Sequence, residues 1–205
     1  DSITTDADRV LRLAQKHKDV YRFVLWMLSN KYENINVIGL DGVFVHLAEN
    51  HYLKNADWLD ATQKAKFQER VDILKPIITG KVMPLLILQD TLGRDVNLMD
   101  IKSKYTLVYF YRYDCGHCQD HAPDLMKFYE ENKDKGFAIY HAGTHETGDM
   151  KEELEKTKAF IKKYKTEKLI NVLDIKLRYD FRKRYDVYKT PTIFLLDSEK
   201  RILAK

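Results

Sequence analysis

The sequence predicts an α/β domain with a mixed sheet, preceded by a small all-helical domain. Three observations carry this prediction. Apolar residues recur at helical spacing from the start of the chain to about residue 75. Pro76, Gly80 and Pro84 then break the pattern, and short apolar, β-branched runs replace it. From there strand-like runs alternate with helical patterns and close in a hairpin, the order of a sheet flanked by helices.

In the first segment Val10, Leu11, Leu13 and Ala14 have helical spacing, and Val20 to Leu28 (VYRFVLWML) reads as a buried helix. Gly39 and Gly42 interrupt, and Val43 to Leu53 resumes the helical period. Asn55 or Asp57 is the expected cap of a last helix running to about Leu74. His46 and His51 stand five apart, off the i, i+4 spacing of a ligand pair on one α-helix face. They are read as packing or surface histidines.

Past the joint, Leu85 to Leu88 and Asp95 to Leu98 read as short strands around a turn holding Asp90 and Gly93. Thr106 to Tyr111 is the central buried strand, and Gln119 to about Asn132 a helix. Gly136 to Gly143 (GFAIYHAG) is a further buried strand, and Asp149 to Tyr164 an amphipathic helix with Leu154, Phe160 and Ile161 inward. Leu169 to Leu173 reads as a strand and Leu177 to Tyr185 as a short helix. Thr192 to Leu196 is paired with a strand beginning at Arg201. Two domains are expected, 1–76 helical and 77–205 α/β.

At 205 residues, with 44% hydrophobic and 32% charged residues, the composition is that of an ordinary globular protein. No apolar stretch reaches the 18 or so residues of a membrane span. The net charge of +4 is mild, and no nucleic-acid motif accompanies it. Lys176 to Lys189 holds six Lys/Arg against Asp180 and Asp186 and reads as a solvated helix face. An Asp1-Ser2 start fits a removed leader or a boundary and does not settle the compartment.

The chemistry concentrates in Tyr105 to Asp124 (YTLVYFYRYDCGHCQDHAPD). Cys115 and Cys118, the only cysteines, sit at a strand-to-helix junction. A helix N-terminus offers unpaired N–H groups and partial positive charge, which stabilise a thiolate. Cys115 is the candidate nucleophile and Cys118 the resolving thiol. His117, when protonated, adds positive charge beside Cys115, whereas Asp114 opposes a thiolate there. Tyr109, Tyr111 and Tyr113 share one strand face and are read as core, with Tyr113 also a candidate for the substrate surface.

Cys115-x-x-Cys118, Pro123 and Thr190-Pro191, in that order on this pattern, resemble the thioredoxin-like superfamily. The leading hairpin (GKVMPLLILQDTLGRDVNL) is similar to that of its TlpA/ResA-like thiol–disulfide oxidoreductases, and the helical segment to that preceding such domains in Bacteroidetes. The resemblance implies a thioredoxin-like fold from Gly80 onward, disulfide exchange through Cys115-Gly116-His117-Cys118, and a cis bond before Pro191. It also implies a Thr190 backbone that pairs with substrate. The Gly-His dipeptide is the one seen in disulfide isomerases. No cofactor is implied. The partners are cysteine-containing proteins and a redox partner protein, not nucleic acid. The location is the periplasm or cell envelope, with any membrane or lipid tether outside this chain. Two departures stand out. Tyr109 occupies the place of the family's buried Asp beneath the second cysteine. The chain also stops at Lys205, where the fold usually adds a final helix.

The competing expectation is a copper or zinc module built from Cys115, Cys118 and His121, with His141 and His145 a strand away. Copper-delivery relatives resemble C-x-x-x-C, one residue longer, so the redox reading is preferred and no metal ligands are assigned. A peroxiredoxin-type P-x-x-x-T-x-x-C is absent before Cys115.

Overall fold

The computed structural model describes residues 2–33, 35, 37–145 and 149–205. The chain divides into two compact units, Asp1–Thr79 and Gly80–Lys205. The divide falls after the expected residue 76 because the last helix continues through a tight turn, Lys75–Ile77. Ile77 is fully buried, Ile78 packs on the helical core, and the Thr79 N–H donates to Asp41 at 3.0 Å.

The first unit holds α1 (Ser2–Ala14), α2 (Lys18–Glu33), α3 (Asp41–Leu47), a π-helical turn (Ala48–Tyr52), α4 (Leu53–Asn55) and α5 (Ala61–Leu74). Its core joins Leu11, Leu25, Val43 and Leu47, with Tyr52 stacked on Phe67 at 4.0 Å. Three expectations are corrected here. The run from Val20 to Leu28 is not buried all round: α2 turns Tyr21, Leu25 and Ser29 inward, while Phe23 and Trp26 are 60% and 59% exposed. A helix against one layer of neighbours hides one stripe only. The cap of α5 is Asp60, which forms a reciprocal capping box with Gln63, while Asp57 pairs instead with Lys18. His46 and His51 do share a face, because the π-helical turn between them widens the spiral.

The second unit is one seven-stranded sheet in the order β2-β1-β5-β4-β3-β6-β7. Its strands are β1 (Ile87–Asp90), β2 (Asp95–Asn97), β3 (Tyr105–Tyr111), β4 (Phe137–Gly143), β5 (Ile170–Leu173), β6 (Thr192–Leu196) and β7 (Ile202–Ala204). Its helices are α6 (Gly116–Asn132), α7 (Met150–Tyr164) and α8 (Phe181–Tyr185). β3 pairs parallel with β4 and antiparallel with β6, and β4 pairs parallel with β5, so the directions are mixed as expected. The β1–β2 hairpin turns at Gly93, whose φ of 82° suits glycine, and Asp90 accepts from the N–H groups of Leu92 and Arg94.

Two details place the site. β3 is buried from Val108 to Tyr111, so the chain leaves the core at Arg112 and turns straight into α6. α8 is shorter than the helix expected from Leu177: it begins at Phe181, capped by Asp180, whose side chain accepts from Arg182 and Lys183 N–H. Leu177 has a left-handed φ of 52°, which an α-helix does not tolerate, so 175–180 form a loop.

Candidate active site

Cys115 is the N-cap of α6, with extended φ and ψ of −81° and 116°. Its thiol therefore stands at the positive end of a 17-residue helix. Gly116 and His117 are exposed, Cys115 is half-buried, and Cys118, one turn in, is 1% exposed. Both cysteines are free thiols. The Thr190–Pro191 bond is cis, and the Thr190 carbonyl oxygen lies 3.2 Å from Cys115 Sγ, accepting from the thiol when it is protonated.

The environment separates the two sulfurs. Burial alone raises the Cys115 pKa, but hydrogen bonds from the Thr190 side chain, from the Cys118 thiol and from the Cys118 and His117 N–H groups outweigh it. The net result lies below the ordinary thiol value. Cys118 is pushed up to about 11, by burial first and by the neighbouring Cys115 sulfur next. The exposed thiol thus ionises before the buried one, the division of labour that exchange chemistry needs.

The charge beside Cys115 is settled by Arg112. Its guanidinium grips Asp114 in a bidentate pair at 2.9 and 2.7 Å. That pair, more than anything else, holds the Asp114 carboxyl below its usual range, so the acid does not face Cys115 as a bare negative charge. Behind Cys118 lie Tyr109 and Tyr111, whose buried hydroxyls have no hydrogen-bond partner among the described residues. Burial raises both phenols, so they stay protonated at neutral pH and can donate but not accept a proton. Tyr113 reaches away, donating to Glu153 at 2.9 Å.

A groove of about 910 Å³ opens beside Cys115. Arg112, Asp114 and Thr190 line one part, and the loop from Leu177 to Asp180, the start of α8 at Phe181 and Arg182, and Val187 to Lys189 line another. The basic stretch read as a solvated helix face is therefore partly groove wall. The missed signal was Asp180, a capping residue directly before Phe181, which marks the helix start and leaves Leu177 to Tyr179 outside it. His145 also lines the groove, whereas His141 is buried against Tyr111, ring over ring at 3.7 Å. His121 is exposed, and among the described residues it does not gather with Cys115 and Cys118 into a three-ligand set.

Residues 79–205 match the family model described as AhpC/TSA. The chain belongs to the AhpC/TSA family. Its solved relatives include a domain of a possible thiol-disulfide isomerase from Cytophaga hutchinsonii, 35% identical, covering 63% of this chain and 84% of that one, with a TM-score of 0.57. A thioredoxin domain of a thiol-disulfide oxidoreductase from Bacteroides vulgatus is 36% identical over 62% of this chain and 86% of that one, with a TM-score of 0.53. A thioredoxin-like protein from Bacteroides caccae aligns with 98% of this chain and 71% of its own length, with a TM-score of 0.78 at 16% identity. That likeness speaks to fold and takes in the helices before the sheet. Among curated relatives, the thiol-disulfide oxidoreductase ResA of Bacillus thuringiensis is 27% identical over 60% of this chain, and the chain spans 66% of that relative's length. The second unit of this AhpC/TSA member is thus a thioredoxin-like domain, and the first its helical forerunner.

Proposed function

We propose that this protein exchanges disulfides with cysteine-containing proteins through Cys115 and Cys118. The supporting observation is the contrast within the pair: an accessible thiol of lowered pKa at a helix N-terminus, and a buried thiol of raised pKa one turn behind it. The Cys115 thiolate attacks a substrate disulfide. A Cys115–substrate S–S bond forms, the substrate S–S bond breaks, and one substrate thiolate leaves. Cys118 then attacks the Cys115 sulfur, the mixed disulfide breaks, and the second substrate thiolate leaves. The pair ends as a disulfide, and two electrons have passed to the substrate. Cys118 must lose its proton for the second step. The neighbouring phenols cannot take it, but the departed substrate thiolate can. A redox partner protein resets the pair by the same steps reversed.

The Thr190 backbone beside Cys115 offers hydrogen bonds to an extended substrate segment, and the groove gives that segment room. The resemblance to exported oxidoreductases supports a place in the periplasm or cell envelope. Among the described residues no helix is long and apolar enough to cross a membrane. In the decisive experiment, reduced protein is offered a disulfide substrate. Cys118→Ser should accumulate mixed disulfides resolvable by non-reducing electrophoresis, and the Cys115→Ser protein should form none. Mixed disulfides through Cys118 in the latter variant reverse the assigned roles. The reduction potential against glutathione then tells reductase from oxidase or isomerase.

A further inference from the structure

The helical unit gathers a second set of chemistry-bearing side chains. Asp8 comes from α1, His46 from α3 and His51 from the π-helical turn. One donor atom from each lies within 4.8 Å of the others. His46 Nε2 and His51 Nε2 approach the same oxygen, Asp8 Oδ1, at 2.8 and 2.9 Å. On an α-helix, residues five apart point about 140° away from one another. The wider turn at Ala48–Tyr52 removes much of that angle, and π-turns inside helices recur at functional sites.

We propose that Asp8, His46 and His51 form a binding site for a divalent transition-metal cation, with zinc the best fit. Two imidazoles and one carboxylate are the donor set that zinc and its neighbours take, whereas calcium and magnesium take oxygens alone. At bond lengths of about 2.0–2.1 Å, tetrahedral donors stand about 3.3–3.4 Å apart. The two Nε2–Oδ1 separations therefore need to widen by only about 0.5 Å, and the two histidine nitrogens, already within 4.8 Å of each other, to settle at the same spacing. The far edges of both rings are also held. His51 Nδ1 lies 2.8 Å from the Tyr21 hydroxyl, and His46 Nδ1 lies 3.3 Å from the Asn50 amide. Such outer partners fix ring orientation in metal sites.

Without metal, each Nε2–H donates to Asp8. With metal on Nε2, each proton resides on Nδ1. The Tyr21 oxygen then accepts from His51, while Asn50, which donates to the His46 carbonyl and accepts from Lys54, releases His46 Nδ1 to water. The side chains of Asp8 and His46 are 34% and 29% exposed, which leaves an approach from solvent and room for water as a fourth ligand. His51, at 10%, anchors the inner side. Bound metal would add a third tie between α1 and the α3 segment, beside the apolar packing of Leu11 with Val43 and Leu47 and the Asp8–histidine hydrogen bonds.

The test uses the full chain with both cysteines changed to serine, so that thiolates cannot contribute, stripped of metal and titrated with Zn²⁺ by calorimetry. The expected result is one equivalent bound at micromolar affinity or better, with a higher melting temperature. His46→Gln and His51→Gln should each weaken binding at least tenfold with unchanged circular dichroism. Absence of saturable binding overturns the proposal, as does undiminished affinity in both variants. Should a variant unfold, histidine ring resonances of the full chain with its helical unit unaltered decide. Zn²⁺ must move those of His46 and His51, and movement confined to the other five of the seven histidines overturns the site.

Discussion

The two units collect reactive side chains by opposite routes. In the second unit, Cys115 and Cys118 lie three residues apart, and a single strand-to-helix turn sets both. In the first, Asp8 meets His46 and His51 across 38 and 43 residues, and a local widening of one helix completes the meeting. The contrast teaches where sequence reading has power. A site written within one turn of helix is visible as spacing. A site written by packing is visible only after the packing is known.

The largest effect separates the two sets. Cys115→Ser removes the nucleophile, and exchange should fall by at least about a thousandfold, because the thiol left at that helix end, Cys118, is buried and its pKa is raised. Zn²⁺ binding by the helical unit should not change. A Cys115→Ser protein that also lost metal affinity would mean that the sets are one, and the comparison would fail.

The next effect tests how the helical unit is packed. Leu25 is fully buried in α2 and the adjacent Trp26 is 59% exposed. Leu25→Ala should cost about 2–5 kcal/mol, and Trp26→Ala no more than about 0.5 kcal/mol. Both tryptophans, Trp26 and Trp58, lie in this unit, so fluorescence during urea unfolding reports on it selectively. Equal costs would mean that α2 is buried on both faces, as its apolar run first suggests.

That helix shows why some of the molecule was legible and some was not. The order of strands and helices after Gly80 followed from alternating periods, and the cysteine pair, Thr190 and Pro191 from short motifs. These are local signals with local causes. Val20 to Leu28 misled because hydrophobicity counts apolar residues but does not say how many neighbours will cover them. Asp60 was missed as a cap because Asn55 and Asp57 are equally good capping residues; the Gln63 side chain decided between them. The groove wall at Leu177 to Asp180 depends on one left-handed residue, Leu177, at a position where no glycine announces it.

A pH experiment sharpens the contrast between buried and open histidines. His141 is buried in the sheet, stacked on Tyr111 and bonded through Nδ1 to Asn171, and burial pulls its pKa down to about 4. The folded state refuses a proton that the unfolded chain accepts below about 6.5. Stability is therefore full above that pH and drains away as pH falls toward 4, by about 3 kcal/mol in all. His141→Phe keeps a ring on Tyr111 and should flatten this window, read as hydrogen exchange of the β3 and β4 amides. Unchanged acid sensitivity between pH 6.5 and 4 would assign the loss to other groups.

The smallest effect acts on Cys115 itself. Arg112 both neutralises Asp114 and adds positive charge near the thiol. Arg112→Gln leaves Asp114 as an uncompensated negative charge one residue away, which disfavours the thiolate. The Cys115 pKa should rise, and its alkylation by iodoacetamide at neutral pH should slow severalfold, with the pH profile displaced upward. Asp114→Asn in the same background should restore most of the rate. If the double variant stays as slow as the single, Arg112 acts on the thiol through its own positive charge rather than through Asp114.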